Sequence, residues 1–266
     1  MKISLIAMDL DGTLKSDTKE ITPRTCAALM EAQKRGIRLV LASARPSPGL
    51  RRECDTLNMQ NFGGILMSYN GGRIVEAATG QVLYETAMEK ETAVSLLQFL
   101  KTLPVTPILD DGKQFYVTDA AGYKVDYECK NNDMVCTEVE DLTKLDFAPV
   151  KILMSVREAQ LKETQARIAA VLPPELHVLQ TAPFYLEIIP SGINKGRGLE
   201  TVCRLLNIPL EETVAFGDQQ NDITMIQKAG MGVAMGNAAP EVKAVADQVT
   251  LSNNDDGIAY ILEQFL

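Results

Sequence analysis

The sequence predicts an α/β protein, a doubly wound parallel sheet into which a second, α+β module is inserted. Three observations predict it. Short apolar runs that end on polar residues alternate with helical patterns in the first part of the chain. The pattern changes to paired strands near residue 84. After Pro190-Ser191-Gly192 the first alternation returns.

Taken in order, Ile3 to Met8 is an apolar run suited to a strand buried on both faces, and it ends in Asp9-Leu10-Asp11-Gly12-Thr13. Thr22-Pro23 opens a helix that Leu29 and Ala32 carry to Gly36, a suitable C-terminal glycine. Ile37 to Ala42 follows as a second strand and completes a β-α-β unit. A third buried strand, Gly64 to Tyr69, runs into Asn70-Gly71-Gly72, and residues 73–84 read as a hairpin turning at Thr79-Gly80.

The middle of the chain predicts a helix over 89–103, strands near 106–109 and 114–118, and a strand over 150–156. A helix over 157–172 and strands over 176–181 and 184–189 complete it. That order suggests helices on one face of an antiparallel sheet. From 195 onward the expected elements are helix 195–207, strand 213–216, helix 221–229, strand 231–235 and helices 240–246 and 255–265. The domains expected are therefore a core of 1–83 and 190–266 and an inserted module of 84–189, which is domain-sized.

Composition narrows the function. At 266 residues, with 46% hydrophobic and 23% charged side chains, the chain has the balance of an ordinary globular protein. A net charge of -9 with no basic stripe argues against a nucleic-acid partner, so the expected partner is small. An anionic ligand would then need positive charge of its own within the site. The five cysteines, Cys26, Cys54, Cys129, Cys136 and Cys203, are scattered without a Cys-x-x-Cys pair, which fits reduced thiols. The run ending at Met8 is too short for a signal peptide, no later run approaches a membrane span, and the expected location is cytoplasmic. His177, the only histidine, sits in an alternating strand segment, so acid–base work falls to carboxylates or lysine.

In open α/β sheets ligands bind beyond the carboxyl ends of the strands. Four groups of residues fall there: Asp9 and Asp11, Ser43 and Arg45, Lys195 at the start of a helix, and Asp218, Asn221 and Asp222. Residues two apart on extended backbone point to one side, so Asp9 and Asp11 can share a pocket. Two like charges there call for a cation, and hard oxygen ligands with Asp218 as a third carboxylate describe a magnesium site. Each piece also has a plain structural reading. Asp11-Gly12 can be a turn with Asp9 a cap, and Lys195 a solvated lysine whose charge opposes the helix dipole. The Asn253-Asn-Asp-Asp-Gly257 cluster reads as an N-cap for the last helix.

Together these residues resemble the haloacid dehalogenase superfamily, whose core is Rossmann-like, and within it the Cof-type (subfamily IIB) phosphatases, similar to bacterial sugar-phosphate phosphatases. Asp9-Leu-Asp-Gly-Thr13 resembles the first motif, Ser43 the second, Lys195 in Asn194-Lys-Gly196 the third, and Gly217-Asp-Gln-Gln-Asn-Asp222 the fourth. The likeness runs on to Gly232-Val-Ala-Met-Gly-Asn-Ala238. It departs at Ser43-Ala44-Arg45, where the family commonly has Thr-Gly-Arg; the alanine methyl would disfavour a positive φ there.

The resemblance implies a magnesium-dependent hydrolase of phosphomonoesters that works through an aspartyl-phosphate on Asp9. It implies Asp11 as general acid and base, and Asp9, Asp218 and the backbone carbonyl of Asp11 as magnesium ligands. Phosphate would be bound by Ser43, Lys195, Asn221 and the backbone amides of Leu10 and Ala44, with Asp222 orienting Lys195 or the metal's waters. Arg45 would reach substrate or lock its loop, and Asn70 resembles a position that often faces substrate. The inserted module, a C2B-type cap, would be mobile and would choose a small phosphorylated metabolite, sugar phosphates first. A phosphomutase of the same superfamily, or a non-catalytic phosphate-sensing regulatory protein, are the alternatives.

Overall fold

The computed structural model describes residues 2–266. Strand β1 (Leu5–Met8) is buried at every position. Helix α1 (Pro23–Lys34) starts after Thr22, whose hydroxyl accepts the Thr25 N–H, and Pro23 occupies the first turn, where a missing N–H costs nothing. β2 (Arg38–Ala42) runs parallel to β1. Between β2 and β3 the sequence reading places no element, yet a 3-10 turn (Ser47–Leu50) leads into helix α2 (Arg51–Thr56). β3 (Ile65–Ser68), β4 (Arg73–Glu76) and β5 (Val82–Glu85) follow.

The chain then enters a second compact unit, Glu85–Ile193. Its elements are α3 (Lys90–Leu100), β6 (Val105–Asp110), β7 (Phe115–Val117), α4 (Val125–Asn132) and β8 (Cys136–Glu138). After them come β9 (Ile152–Val156), α5 (Leu161–Ala169), β10 (Leu176–Ala182) and β11 (Tyr185–Pro190). The sheet order is β10-β11-β9-β6-β7-β8. Two features depart from an antiparallel sheet covered on one face. β7 and β8 pair in parallel, with α4 as their crossover. α3 and α5 pack with Ile152, Met154 and Val156, whereas Val125 of α4 packs with Ile108, Phe115 and Leu153 on the opposite face.

From Asn194 the chain returns to the first unit, which also holds the residues up to Tyr84. The returning elements are α6 (Lys195–Leu206), β12 (Thr213–Gly217), α7 (Ile223–Lys228) and β13 (Met231–Ala234). α8 (Pro240–Lys243), β14 (Gln248–Val249) and α9 (Gly257–Leu262) end the chain. The eight strands lie in the order β14-β13-β12-β1-β2-β3-β4-β5. They are parallel from β14 to β3, and β4 is antiparallel to β3.

Alternation along the strands divides the core in two. Ile6, Met8, Leu39, Leu41, Val214 and Phe216 pack with Leu29 of α1 and Ile258 of α9. Leu5, Ala7, Val40, Ala42 and Ala215 pack on the other side with Leu199 of α6 and Met225 of α7. Helices on both faces make the sheet doubly wound. β1 lies at its centre, with the chain leaving toward β2 on one side and β12 on the other, so the ends of these three strands meet at the switch point where such folds bind ligands. Among the described residues no helix is long and apolar enough to cross a membrane.

Candidate active site

Asp9 emerges from the end of β1 with its N–H on the carbonyl of Phe216 in β12 (3.1 Å). Lys195 is the first residue of α6, which Asn194 caps by accepting the Arg197 N–H. Its ammonium is fully buried and donates to Asp9 Oδ1 (2.5 Å) and Asp222 Oδ1 (2.6 Å). This excludes the alternative of a solvated lysine. The mild conflict with the helix dipole is outweighed by two carboxylates in contact.

Asp222 uses its second oxygen to accept the backbone N–H groups of Asp218 (2.9 Å) and Gln219 (3.0 Å). One side chain therefore fixes both the loop after β12 and the lysine. Asp218 accepts from the Thr13 hydroxyl (2.7 Å) and the Gln219 amide (3.1 Å). Gly12 has φ +84°, and a Cβ there would lie 2.5 Å from Asp218 Oδ2. The Asp11-Gly12 turn is thus real, and it lets the loop after β1 close against Asp218.

Ligand oxygens of Asp9, Asp218 and Asp222 lie within 4.8 Å of one another, so this cluster could hold a metal ion. Three buried carboxylates face one ammonium. Burial, aided by Asp222 and Asp218 and opposed by Lys195, pushes the Asp9 carboxyl up to about 7. Burial likewise raises Asp218. On Lys195 burial acts to lower the pKa, but Asp222 and Asp9 more than reverse it, and the ammonium is held charged. A hard divalent cation fits this oxygen-only donor set and relieves its excess negative charge.

Asp11 gives no side-chain oxygen to that cluster. Arg45 donates to its Oδ2 through Nε (3.1 Å) and Nη2 (2.7 Å), and Lys15 Nζ lies 3.2 Å from Oδ1. Arg45 therefore clasps Asp11, an outcome that neither the substrate reading nor the loop-lock reading named. Burial acts to raise the Asp11 carboxyl, but Arg45 and Lys15 outweigh it and hold it below its ordinary value.

Ser43 is buried at the end of β2, and its Oγ accepts the Arg45 N–H (3.3 Å). Ala44 is absent from the residues with positive φ, so its methyl imposes no backbone strain of the kind the sequence reading expected. Leu10 is fully buried. Asn221 donates to Asn70 Oδ1 (3.1 Å), and Asn70 N–H donates to the Ser43 carbonyl (2.8 Å). Asn70 thus ties the loops after β2 and β12 together. It sits in three successive left-handed residues, Tyr69 (φ 51°), Asn70 (54°) and Gly71 (95°).

Several supporting residues escaped the sequence reading. Asn237 donates to the Gly12 carbonyl (2.7 Å) and accepts the Asn253 N–H (3.0 Å), while the Asn253 amide donates to the Lys15 carbonyl (2.9 Å). Together they brace the loop that carries Asp11. Asn253 belongs to the cluster read as an N-cap, and that reading is corrected. Asp256, ahead of α9, makes no capping hydrogen bond and is left-handed at φ 60°. Its carboxylate instead accepts from the hydroxyls of Thr22 and Thr25 at the start of α1.

A family model described as haloacid dehalogenase-like hydrolase matches residues 6–262. The Bacillus subtilis (strain 168) protein YxeH, whose name proposes a phosphatase, is 33% identical over 270 residues, covering 98% of each chain. A crystal structure of a haloacid dehalogenase-like hydrolase from Bacteroides thetaiotaomicron matches with a TM-score of 0.94 at 36% identity, covering 100% of both chains. The structure of a subclass IIB sugar phosphatase matches with a TM-score of 0.78 at 26% identity over 98% of each.

Proposed function

We propose, for a chain that belongs to the haloacid dehalogenase-like hydrolase family and is one of its phosphatases, that it hydrolyses sugar phosphates with magnesium through a phosphoryl group carried on Asp9. The observation that carries this reading is the buried Lys195 shared by Asp9 and Asp222, with Asp218 alongside. Such a cluster supports a carboxylate nucleophile beside an ammonium and a metal site at one strand-end crevice.

Lys195 engages Oδ1 of Asp9, and we assign Oδ2 to the attack on phosphorus. The Asp9 O–P bond forms as the ester O–P bond breaks, and Asp11, protonated for this step against the pull of Arg45 and Lys15, gives its proton to the departing alkoxide. In the second step Asp11 takes a proton from water, whose oxygen attacks phosphorus and releases inorganic phosphate and the Asp9 carboxylate. Lys195 and Asn221, with the Ser43 hydroxyl and the backbone amides of Leu10 and Ala44, are assigned to the phosphoryl oxygens. Asp9, Asp218 and the Asp11 carbonyl would hold magnesium, which when bound supplies positive charge against the charge on the transferring group. Asp222 is assigned to positioning, since its two oxygens already serve Lys195 and the loop after β12.

The unit Glu85–Ile193 is assigned the choice of substrate. The likeness to a sugar phosphatase at 26% identity supports phosphate esters of polyhydroxylated carbon chains. The test is a screen of phosphorylated metabolites for phosphate release with magnesium or EDTA, with Asp9→Asn as control. Release that requires magnesium and Asp9, strongest on sugar phosphates, supports the reading; release that survives EDTA and the substitution overturns it.

A further inference from the structure

Lys15 is a buried charge beside Asp11 that the proposed chemistry leaves unused. It lies on the loop after β1, its side chain is 6% exposed, and its main chain is fixed by its own N–H on the Leu10 carbonyl (2.9 Å) and by Asn253. Its Nζ stands 3.4 Å from Glu53 Oε1 on α2, a carboxylate also 7% exposed, and 3.2 Å from Asp11 Oδ1. Asp11 is the exposed member of the three, at 39%. A buried ion pair adds little to stability over apolar side chains of the same size, so stability alone does not account for Lys15 and Glu53.

The geometry makes a clamp. Arg45 holds Oδ2 of Asp11, and Lys15 stands at Oδ1. Glu53 in turn fixes the ammonium from behind. Contacts on both oxygens restrict rotation of the Asp11 carboxyl about its own bond, and proton delivery to a leaving oxygen depends on that orientation. We propose that Lys15, backed by Glu53, is a positioning residue that aims Asp11 at the leaving-group oxygen. The inference rests on the proton-transfer role given to Asp11 above.

The test compares phenyl phosphate with p-nitrophenyl phosphate. Phenolate, a base of pKa about 10 like the tyrosine side chain, gains from protonation as it leaves, and p-nitrophenolate leaves readily without it. The ratio of kcat/KM for the two isolates the first chemical step, and a loss of general structure lowers both alike. The variant is Lys15→Met with Glu53→Gln, which removes both buried charges and leaves neither unpaired. Phenyl phosphate is expected to lose about tenfold and p-nitrophenyl phosphate less than about twofold. Glu53→Gln alone, which frees Lys15 on one side, is expected to move the ratio the same way by a smaller factor and serves if the double variant does not fold. Asp11→Asn must show the split at full size. A split in Asp11→Asn with equal losses, or none, in the Lys15 and Glu53 variants overturns the positioning role alone. Equal losses in Asp11→Asn overturn the proton-transfer reading and the inference with it.

Discussion

Lys195 and Asp222 form an ion pair of 2.6 Å in which neither side chain exposes any surface. Asp222 spends its other oxygen on two backbone N–H groups of the loop that carries Asp218. Asp222→Ala therefore leaves a buried ammonium with only Asp9 beside it and two backbone donors unmet, the one on Asp218 buried. Chemical denaturation should register a loss of about 3–5 kcal/mol. Asp222→Asn keeps the shape and should cost less stability, yet lower phosphate release about a hundredfold, because an amide cannot accept at both ends.

Gly12 and Ala44 should respond in opposite ways to an exchanged methyl. Gly12→Ala meets both a positive φ of 84° and an oxygen of Asp218 at 2.5 Å. The magnesium concentration for half-maximal activity should rise, with about 1–3 kcal/mol lost from stability. Ala44→Gly relieves no backbone strain, since Ala44 has no positive φ. Its activity should stay within about twofold of the parent and its stability fall by about 0.4–1 kcal/mol.

Asp9 predicts how the metal-free protein responds to pH. Its carboxyl is pushed up from 3.8 to about 7, chiefly by burial. A raised carboxyl favours the fold below its ordinary pKa, and that contribution is lost as pH rises through the folded value. In EDTA, the Tm of the parent minus that of Asp9→Asn should therefore fall between pH 3.8 and about 7. Magnesium, which replaces the proton as the balancing charge, should remove most of the fall.

Asn253 supports the site from the far end of the sequence. Its amide donates to the Lys15 carbonyl (2.9 Å) and to Asp17 (3.3 Å). Asn253→Ala should cost about 1–2 kcal/mol in denaturant unfolding and lower kcat more than it raises KM, because the loop bearing Asp11 loses a brace.

Much of this was legible from local pattern. β1, β2, β3, β12 and β13 are four or five residues long and almost wholly buried, so each reads directly as an apolar run, and the polar residues after them fall at the crevice. α4 was not legible. Its sequence, Val-Asp-Tyr-Glu-Cys-Lys-Asn-Asn, is largely polar, and left-handed residues, Lys124 and Asp133, bound it where glycines usually signal a helix end. Its placement comes from Val125 packing on the sheet. In the site, residue types were legible and partnerships were not. Arg45 reaches Asp11 across 34 positions and Asn253 reaches Lys15 across 238, and only the fold sets such distances. Asn253 looked like a cap because asparagine before a helix usually is one.

The central claim, that Asp9 carries the phosphoryl group, is tested most directly by trapping it. Asp11→Asn, mixed with magnesium and p-nitrophenyl phosphate and quenched in acid, should accumulate protein heavier by one phosphoryl group. Peptic digestion should place that mass on the peptide containing Asp9, and Asp9→Asn should show none. Turnover by the parent with no phosphoryl-protein at any quench time, or with the group on another residue, would contradict the account.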